Sequence, residues 1–160
     1  MRTTYVRTNN PDPDLRETKS MDEPAGTILV IDDEQPFCEV VAEILTTFGY
    51  PVRKAFNANQ ALEVLKSVTP VLIILDIMMP DVDGLTLVRR FRADPRLFKI
   101  PVIMSSAKYL MEDRTEAINA GASAYLTKPF SAAELRSAIV ELLGERDPQL
   151  TLNNTPGYTR

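Results

Sequence analysis

Short, almost wholly apolar runs alternate with helical patterns along this chain, and that alternation restricts it to an α/β architecture. Ile28-Leu29-Val30-Ile31, Val52 to Ala55, Val71 to Leu75, Val102-Ile103-Met104 and Ala124-Tyr125-Leu126 read as strands. The run at 71–75 is apolar at every position, as expected of a strand covered on both faces. After the first run, Phe37, Val40, Val41, Ile44, Leu45 and Phe48 recur at i, i+3, i+4, i+7, i+8 and i+11, which is a helical stripe. Pro36 suits the first turn of that helix and Gly49 its stop. Ala58, Ala61, Leu62 and Leu65 mark a second helix, and Leu87, Val88 and Phe91 a third, which follows the turn Pro80-Asp81-Val82-Asp83-Gly84. A fourth ends at Ala120 before Gly121, and a fifth opens on the capping box Ser131-Ala132-Ala133-Glu134 and carries Leu135, Ile139 and Leu142 to Gly144. Strands joined through helices require right-handed crossovers and a parallel sheet, whose ligands bind beyond the carboxyl ends of the strands.

Four of the five runs stop at groups that belong to one reaction. The first runs into Asp32-Asp33, the third into Asp76, the fourth into Ser105-Ser106 and the fifth into Thr127-Lys128-Pro129. Taken singly, each has an ordinary explanation: the acids as helix caps, Ser106 as a turn hydroxyl, Lys128 as a solvated cation. Taken together, they gather three carboxylates, a hydroxyl and an ammonium at one sheet edge. Carboxylates about 5 Å apart repel by roughly 3 kcal/mol per pair at an effective dielectric near 20, so the cluster calls for a cation. Oxygen donors with open water positions suit Mg2+, with Mn2+ as the alternative. Asp32 and Asp33 would hold the metal, while Asp76 shares it and offers an oxygen as nucleophile toward a phosphoryl group. Lys128 would add a second cation at the transferring oxygens, and Ser106 would donate to the attached group.

The rest of the composition removes competing classes. With 160 residues, 44% apolar and 25% charged, the chain suits one globular domain. The net charge of −4 gives no electrostatic footprint for nucleic acid, and Arg89-Arg90-Phe91-Arg92 reads as a solvated helix face. The absence of His excludes His-dependent triads and most zinc sites. Cys38, the one cysteine, has no internal disulfide partner and is expected to be a buried bystander on the first helix. No apolar run approaches the roughly 18 residues of a membrane span, and a cytoplasmic setting is the expectation. Residues 1–25, polar and carrying Pro11, Pro13 and Pro24, read as a flexible tail. The folded domain is expected over 26–144, followed by a flexible tail or linker stub over 145–160.

Four stretches resemble the receiver domain of two-component response regulators. They are Ile-Leu-Val-Ile-Asp-Asp-Glu at 28–34, Ile-Leu-Asp-Ile-Met-Met-Pro-Asp-Val-Asp-Gly at 74–84, Pro-Val-Ile-Met-Ser-Ser-Ala at 101–107 and Gly-Ala-Ser-Ala-Tyr-Leu-Thr-Lys-Pro-Phe at 121–130. The resemblance implies a (βα)5 doubly wound, flavodoxin-like parallel sheet in strand order 2-1-3-4-5. It implies that Asp76 is the phospho-acceptor, that Asp32 and Asp33 are the acidic metal pair, and that the backbone carbonyl of Met78 completes the metal's protein ligands. Lys128 resembles the family's phosphate-contacting lysine, with a cis bond to Pro129. Ser106 matches the switch hydroxyl, whereas Ser105 stands one residue early and should point into the sheet. Tyr125 matches the aromatic that swings inward on activation.

The implied function is a phosphorylation-dependent signalling switch, not an enzyme acting on other molecules. It would be charged by a sensor histidine kinase or phosphotransfer protein. It would regulate a downstream protein, or form a homodimer, through the face made by the fourth helix, fifth strand and fifth helix, with no direct nucleic-acid or membrane contact. A natural single-domain regulator is the first expectation, and a receiver from a hybrid kinase or larger regulator the alternative. An interaction-only pseudo-receiver usually lacks one of the acids or the lysine, all of which are present here. A haloacid-dehalogenase-type phosphatase would need a second Asp where Met78 stands. A flavodoxin would need a phosphate loop where Asp32-Asp33-Glu34 would repel the phosphate.

Overall fold

The computed structural model describes residues 26–108 and 110–144; the two expected tails lie outside the described residues. The chain runs β1 (Ile28–Ile31), α1 (Gln35–Thr47), β2 (Val52–Ala55), α2 (Ala58–Ser67), β3 (Leu72–Asp76), α3 (Gly84–Ala93), β4 (Val102–Ser106), α4 (Met111–Ala120), β5 (Ala124–Thr127) and α5 (Ala132–Leu143). The strands form one parallel sheet in the order β2-β1-β3-β4-β5, the arrangement the resemblance implied.

Local chemistry sets the element boundaries. Pro36 lies in the first turn of α1, and Gly49, at φ 85°, follows its end in the left-handed region that suits glycine. Asn57 caps α2 by accepting from the Gln60 amide at 2.8 Å, and Asp83 caps α3 by accepting from the Thr86 amide at 2.8 Å. The expected capping box of α5 is complete: the Glu134 amide donates to Ser131 Oγ at 3.1 Å, and the Ser131 amide donates to Glu134 Oε2 at 2.7 Å.

Two apolar layers cover the sheet. On one side Leu29, Ile31, Ile73, Leu75, Val102 and Met104 pack with Leu65, Leu87, Val88 and Phe91 of α2 and α3 and with Ala117 of α4. On the other Ile28, Val30, Leu72, Ile74 and Ile103 pack with Cys38, Val41 and Leu45 of α1 and Leu135 and Ile139 of α5. The strands alternate between these layers residue by residue, so every strand end presents neighbouring side chains to opposite faces.

Three sequence readings shift. The third strand begins at Leu72 and takes in Asp76, and the fourth takes in both Ser105 and Ser106, so these polar groups are held in the ladder itself. Val40 does not face the core: it is 56% exposed, because Cys38, Val41 and Leu45 already fill the sheet-facing arc of α1. Cys38 is buried, as expected, and burial followed by the charge of Asp32 pushes its thiol up to about 12, so it stays protonated and unreactive. Among the described residues no helix is long and apolar enough to cross a membrane.

Candidate functional site

Parallel strands of matched length end at the same level, which brings the polar stops of β1, β3, β4 and β5 to one edge. Asp32 follows β1 and is held by its neighbours: its Oδ1 accepts from the Glu34 amide at 2.9 Å and its Oδ2 from Lys128 Nζ at 2.6 Å. Asp33 is exposed at the rim. Asp76 closes β3 and is only 4% exposed. One oxygen from each of Asp32, Asp33 and Asp76 lies within 4.8 Å of the others, so the acid cluster expected from sequence is assembled.

Lys128 crosses this cluster. Its Nζ is 2.6 Å from Asp32 Oδ2 and 3.4 Å from Asp76 Oδ1, with the side chain 13% exposed. The Phe37 ring lies beneath the ammonium, 4.2 Å from Nζ to centroid, and Phe130 meets Phe37 edge-on with centroids 5.6 Å apart. The ring face attracts the cation while excluding water from one side of it. The Lys128-Pro129 bond is cis, as the resemblance implied.

These contacts divide the charge unequally. Burial first, and then the charge of Asp32, push the Asp76 carboxyl up to about 6; Lys128 and the Met78 amide oppose the rise without cancelling it. For Lys128, burial favours the neutral amine, yet the hydrogen bonds and charges of Asp32 and Asp76 prevail and its ammonium is held above the ordinary range. One cation thus offsets a group of acids too close to be stable alone. Additional positive charge would find an attractive, oxygen-lined seat, and three carboxylates with an open rim suit a hard divalent cation such as Mg2+. Met78, two residues past Asp76, is 58% exposed at this mouth.

The turn after β3 fits tightly against the acid. The Gly84 amide donates to the Ile77 carbonyl at 2.9 Å, and a Cβ at Gly84 would stand 2.2 Å from the Asp76 carbonyl oxygen. Only glycine allows α3 to start this close to the strand. The glycine was legible as a turn residue, but its approach to Asp76 was not. Phe37 was likewise read as one member of a helical stripe, and its place under Lys128 depends on how α1 crosses the sheet.

The two serines of β4 separate as the sheet alternation requires. Ser106 faces the layer containing Met104 and Tyr125; its Oγ accepts from the Lys108 amide at 3.1 Å. Tyr125 is 8% exposed, and its hydroxyl donates to the Lys108 carbonyl at 2.7 Å. Burial pushes its phenol up, with the Ser106 hydroxyl acting in the opposite sense. Tyr125, the aromatic that the resemblance expects to swing inward on activation, is buried here and held by the backbone of Lys108. Ser105 points into the other layer, is fully buried, and its hydroxyl has no hydrogen-bond partner among the described residues.

A parallel five-stranded sheet with acids, a lysine and a hydroxyl at its carboxyl edge defines a class of doubly wound domains. The chain belongs to the response regulator receiver domain family of two-component signalling, whose model matches residues 28–140. It is 38% identical over 122 residues to the phosphate regulon transcriptional regulatory protein PhoB of Pseudomonas aeruginosa, covering 76% of this chain and 53% of that protein. It is 37% identical over 120 residues to the DNA-binding dual master transcriptional regulator RpaA of a Synechocystis strain, covering 75% of this chain and 50% of that one. The chain thus spans about half the length of these relatives.

Among solved structures it resembles the chemotaxis protein CheY4 of Vibrio cholerae (TM-score 0.70, 26% identity, 74% of this chain and 98% of that one). It also resembles the receiver domain of the sensor histidine kinase PA1611 of Pseudomonas aeruginosa (TM-score 0.69, 29% identity, 76% and 99%), whose crystal structure holds a magnesium ion in its active-site cleft. RpaA is named as DNA-binding, which stands partly against the expected absence of nucleic acid, although this chain covers only half of that protein.

Proposed function

We propose that this receiver accepts a phosphoryl group on Asp76 in a Mg2+-dependent reaction, with a sensor histidine kinase or phosphotransfer protein as donor. The observation that carries this reading is Lys128 Nζ lying between Asp32 Oδ2 and Asp76 Oδ1, at 2.6 and 3.4 Å, inside a three-carboxylate cluster. Asp32, Asp33 and the Met78 carbonyl, together with Asp76, would hold Mg2+, with Mn2+ as a substitute. When bound, the metal supplies positive charge against the phosphoryl oxygens.

The remaining steps belong to the chain's own residues. An Asp76 oxygen forms the bond to phosphorus as the donor's bond to phosphorus breaks, and the electron pair leaves with the donor. Lys128 exchanges part of its contact with Asp32 for the incoming oxygens. Ser106 turns its hydroxyl toward the phosphoryl group and gives up the Lys108 amide. Tyr125 holds the carbonyl of that same Lys108, so release of the amide shifts the segment after β4 and with it the face of α4, β5 and α5. The added negative charge provides the differential contact that a population shift requires.

The partner at that face is a downstream protein or a second copy. DNA enters as what a regulated partner or an attached domain binds, since the receiver itself carries a net charge of −4. The test is intact mass after incubation with Mg2+ and acetyl phosphate. The expected result is one phosphoryl adduct that disappears with EDTA; an adduct that forms equally without divalent metal would overturn the reading.

A further inference from the structure

Among the described residues, Ser105 carries the one buried side-chain polar atom without a hydrogen-bond partner, and it lies at this edge. It is fully buried and its Oγ has no hydrogen-bond partner among the described residues, in contrast to Ser106 one position later. A buried, unpaired hydroxyl is destabilising relative to alanine, so a fold gains nothing from it in this state.

Its position points to where a partner would come from. In the sheet register Ser105 pairs with Asp76 on β3 and Leu126 on β5. Two residues earlier on each of β3 and β4, Ile74 and Ile103 share the layer under α1 and α5, and Leu126 packs against that layer too. By strand alternation Ser105 and Asp76 therefore stand on the same face, on adjacent strands about 4.8 Å apart. The Ile77 amide donates to the Ser105 carbonyl at 3.1 Å, fixing the serine backbone against the end of β3. Register and alternation thus place this hydroxyl beside the Asp76 carboxyl group.

We infer that Ser105 is a positioning residue for the phosphorylated state: its hydroxyl donates to the Asp76 carboxyl oxygen that does not carry the phosphoryl group. This rests on the assignment of Asp76 as acceptor. In the resting site Lys128 serves Asp76 Oδ1 at 3.4 Å while its shorter bond goes to Asp32. Once Lys128 turns to the phosphoryl oxygens, the free acyl oxygen of Asp76 loses that donor, and Ser105 replaces it. The hydrogen bond exists in the phosphorylated protein and not in the resting one, so it favours phosphorylation and fixes the acyl group in one orientation.

The experiment compares wild type, Ser105→Ala and Ser105→Thr with beryllofluoride, which attaches to a carboxylate as an acyl-phosphate mimic, and with acetyl phosphate. Ser105→Ala is expected to weaken beryllofluoride binding about 3- to 10-fold, the equivalent of one neutral hydrogen bond. It should leave Mg2+ affinity unchanged, because no metal donor is altered, and raise the melting temperature of the resting protein. Ser105→Thr, which keeps the hydroxyl, should restore binding. Equal beryllofluoride affinity and equal acyl-phosphate lifetime in Ser105→Ala and wild type would overturn the inference while leaving Asp76 as acceptor. A lower resting melting temperature in Ser105→Ala would assign the hydroxyl to the fold instead. Failure of wild type to take either group would instead remove the underlying assignment.

Discussion

The carboxyl edge of the sheet holds two regions built on opposite principles. Around β1 and β3, Asp32, Asp33 and Asp76 are crowded within 4.8 Å and held by a single ammonium, so the resting arrangement is under electrostatic load. Around β4 and β5, Ser106, Lys108 and Tyr125 form a neutral chain, with the Lys108 amide donating to Ser106 Oγ at 3.1 Å and the Tyr125 hydroxyl to the Lys108 carbonyl at 2.7 Å. On the proposed function, the first region gains by binding a cation and a phosphoryl group, and the second responds only if the first draws Ser106 away. Chemistry and its report are thereby separated, and substitutions in the two regions should differ in size and in sign.

The largest effect is expected at Lys128. Lys128→Met removes the cation from buried Asp32 and Asp76, and leaving a buried charge uncompensated costs on the order of 3–5 kcal/mol. Urea unfolding without metal should show the loss, and added Mg2+ should recover part of it. An unchanged midpoint would mean that the acids are less loaded than their geometry implies.

Asp76→Asn should move stability the other way. A carboxyl whose folded pKa is raised from 3.8 to about 6 contributes stability fully present below 3.8 and lost as pH rises through about 6. The wild type should therefore lose up to about 3 kcal/mol from this group between those limits, and the asparagine variant should not. Urea midpoints measured at both ends of that pH window check the sign. A variant less stable than wild type at neutral pH would contradict it.

Gly84→Ala probes how the acid is positioned. Its Cβ would stand 2.2 Å from the Asp76 carbonyl oxygen, so the start of α3 must retreat. Overpacking of this kind costs about 1–3 kcal/mol, and the phosphorylation rate should fall along with the melting temperature. The smallest effect belongs to the neutral region: Tyr125→Phe loses one hydrogen bond to Lys108, roughly 1 kcal/mol, and should leave the phosphoryl adduct intact while weakening its effect on partner binding. Loss of the adduct itself in Tyr125→Phe would erase the separation between the two regions.

Most of the fold was legible because period and punctuation agree. Ile28–Ile31 is bounded as its apolar run suggests, Val52–Ala55 falls where the second strand was read, and Ser131 with Glu134 forms the box its spacing implies. The gathering of Asp32, Asp33, Asp76 and Lys128 followed from strand ends alone once the sheet was parallel. What the chain did not reveal depends on packing between distant elements. Val40 carries an apolar side chain at helical spacing, yet Cys38 takes the sheet-facing place. Tyr125 is buried with its hydroxyl on the Lys108 carbonyl, a partner 17 residues earlier that nothing local to its strand selects. Ser105 and Ser106 are the same residue type, and only their opposite faces decide that one is bonded and the other is not.

The central claim is that Asp76, and no other acid of the cluster, carries the phosphoryl group. Borohydride reduces an aspartyl phosphate to homoserine, which peptide sequencing by mass spectrometry locates. After treatment with Mg2+, acetyl phosphate and borohydride, homoserine is predicted at position 76, in the peptide spanning residues 67–89. Homoserine at Asp32, Asp33, Asp81 or Asp83, with position 76 unmodified, would contradict the account.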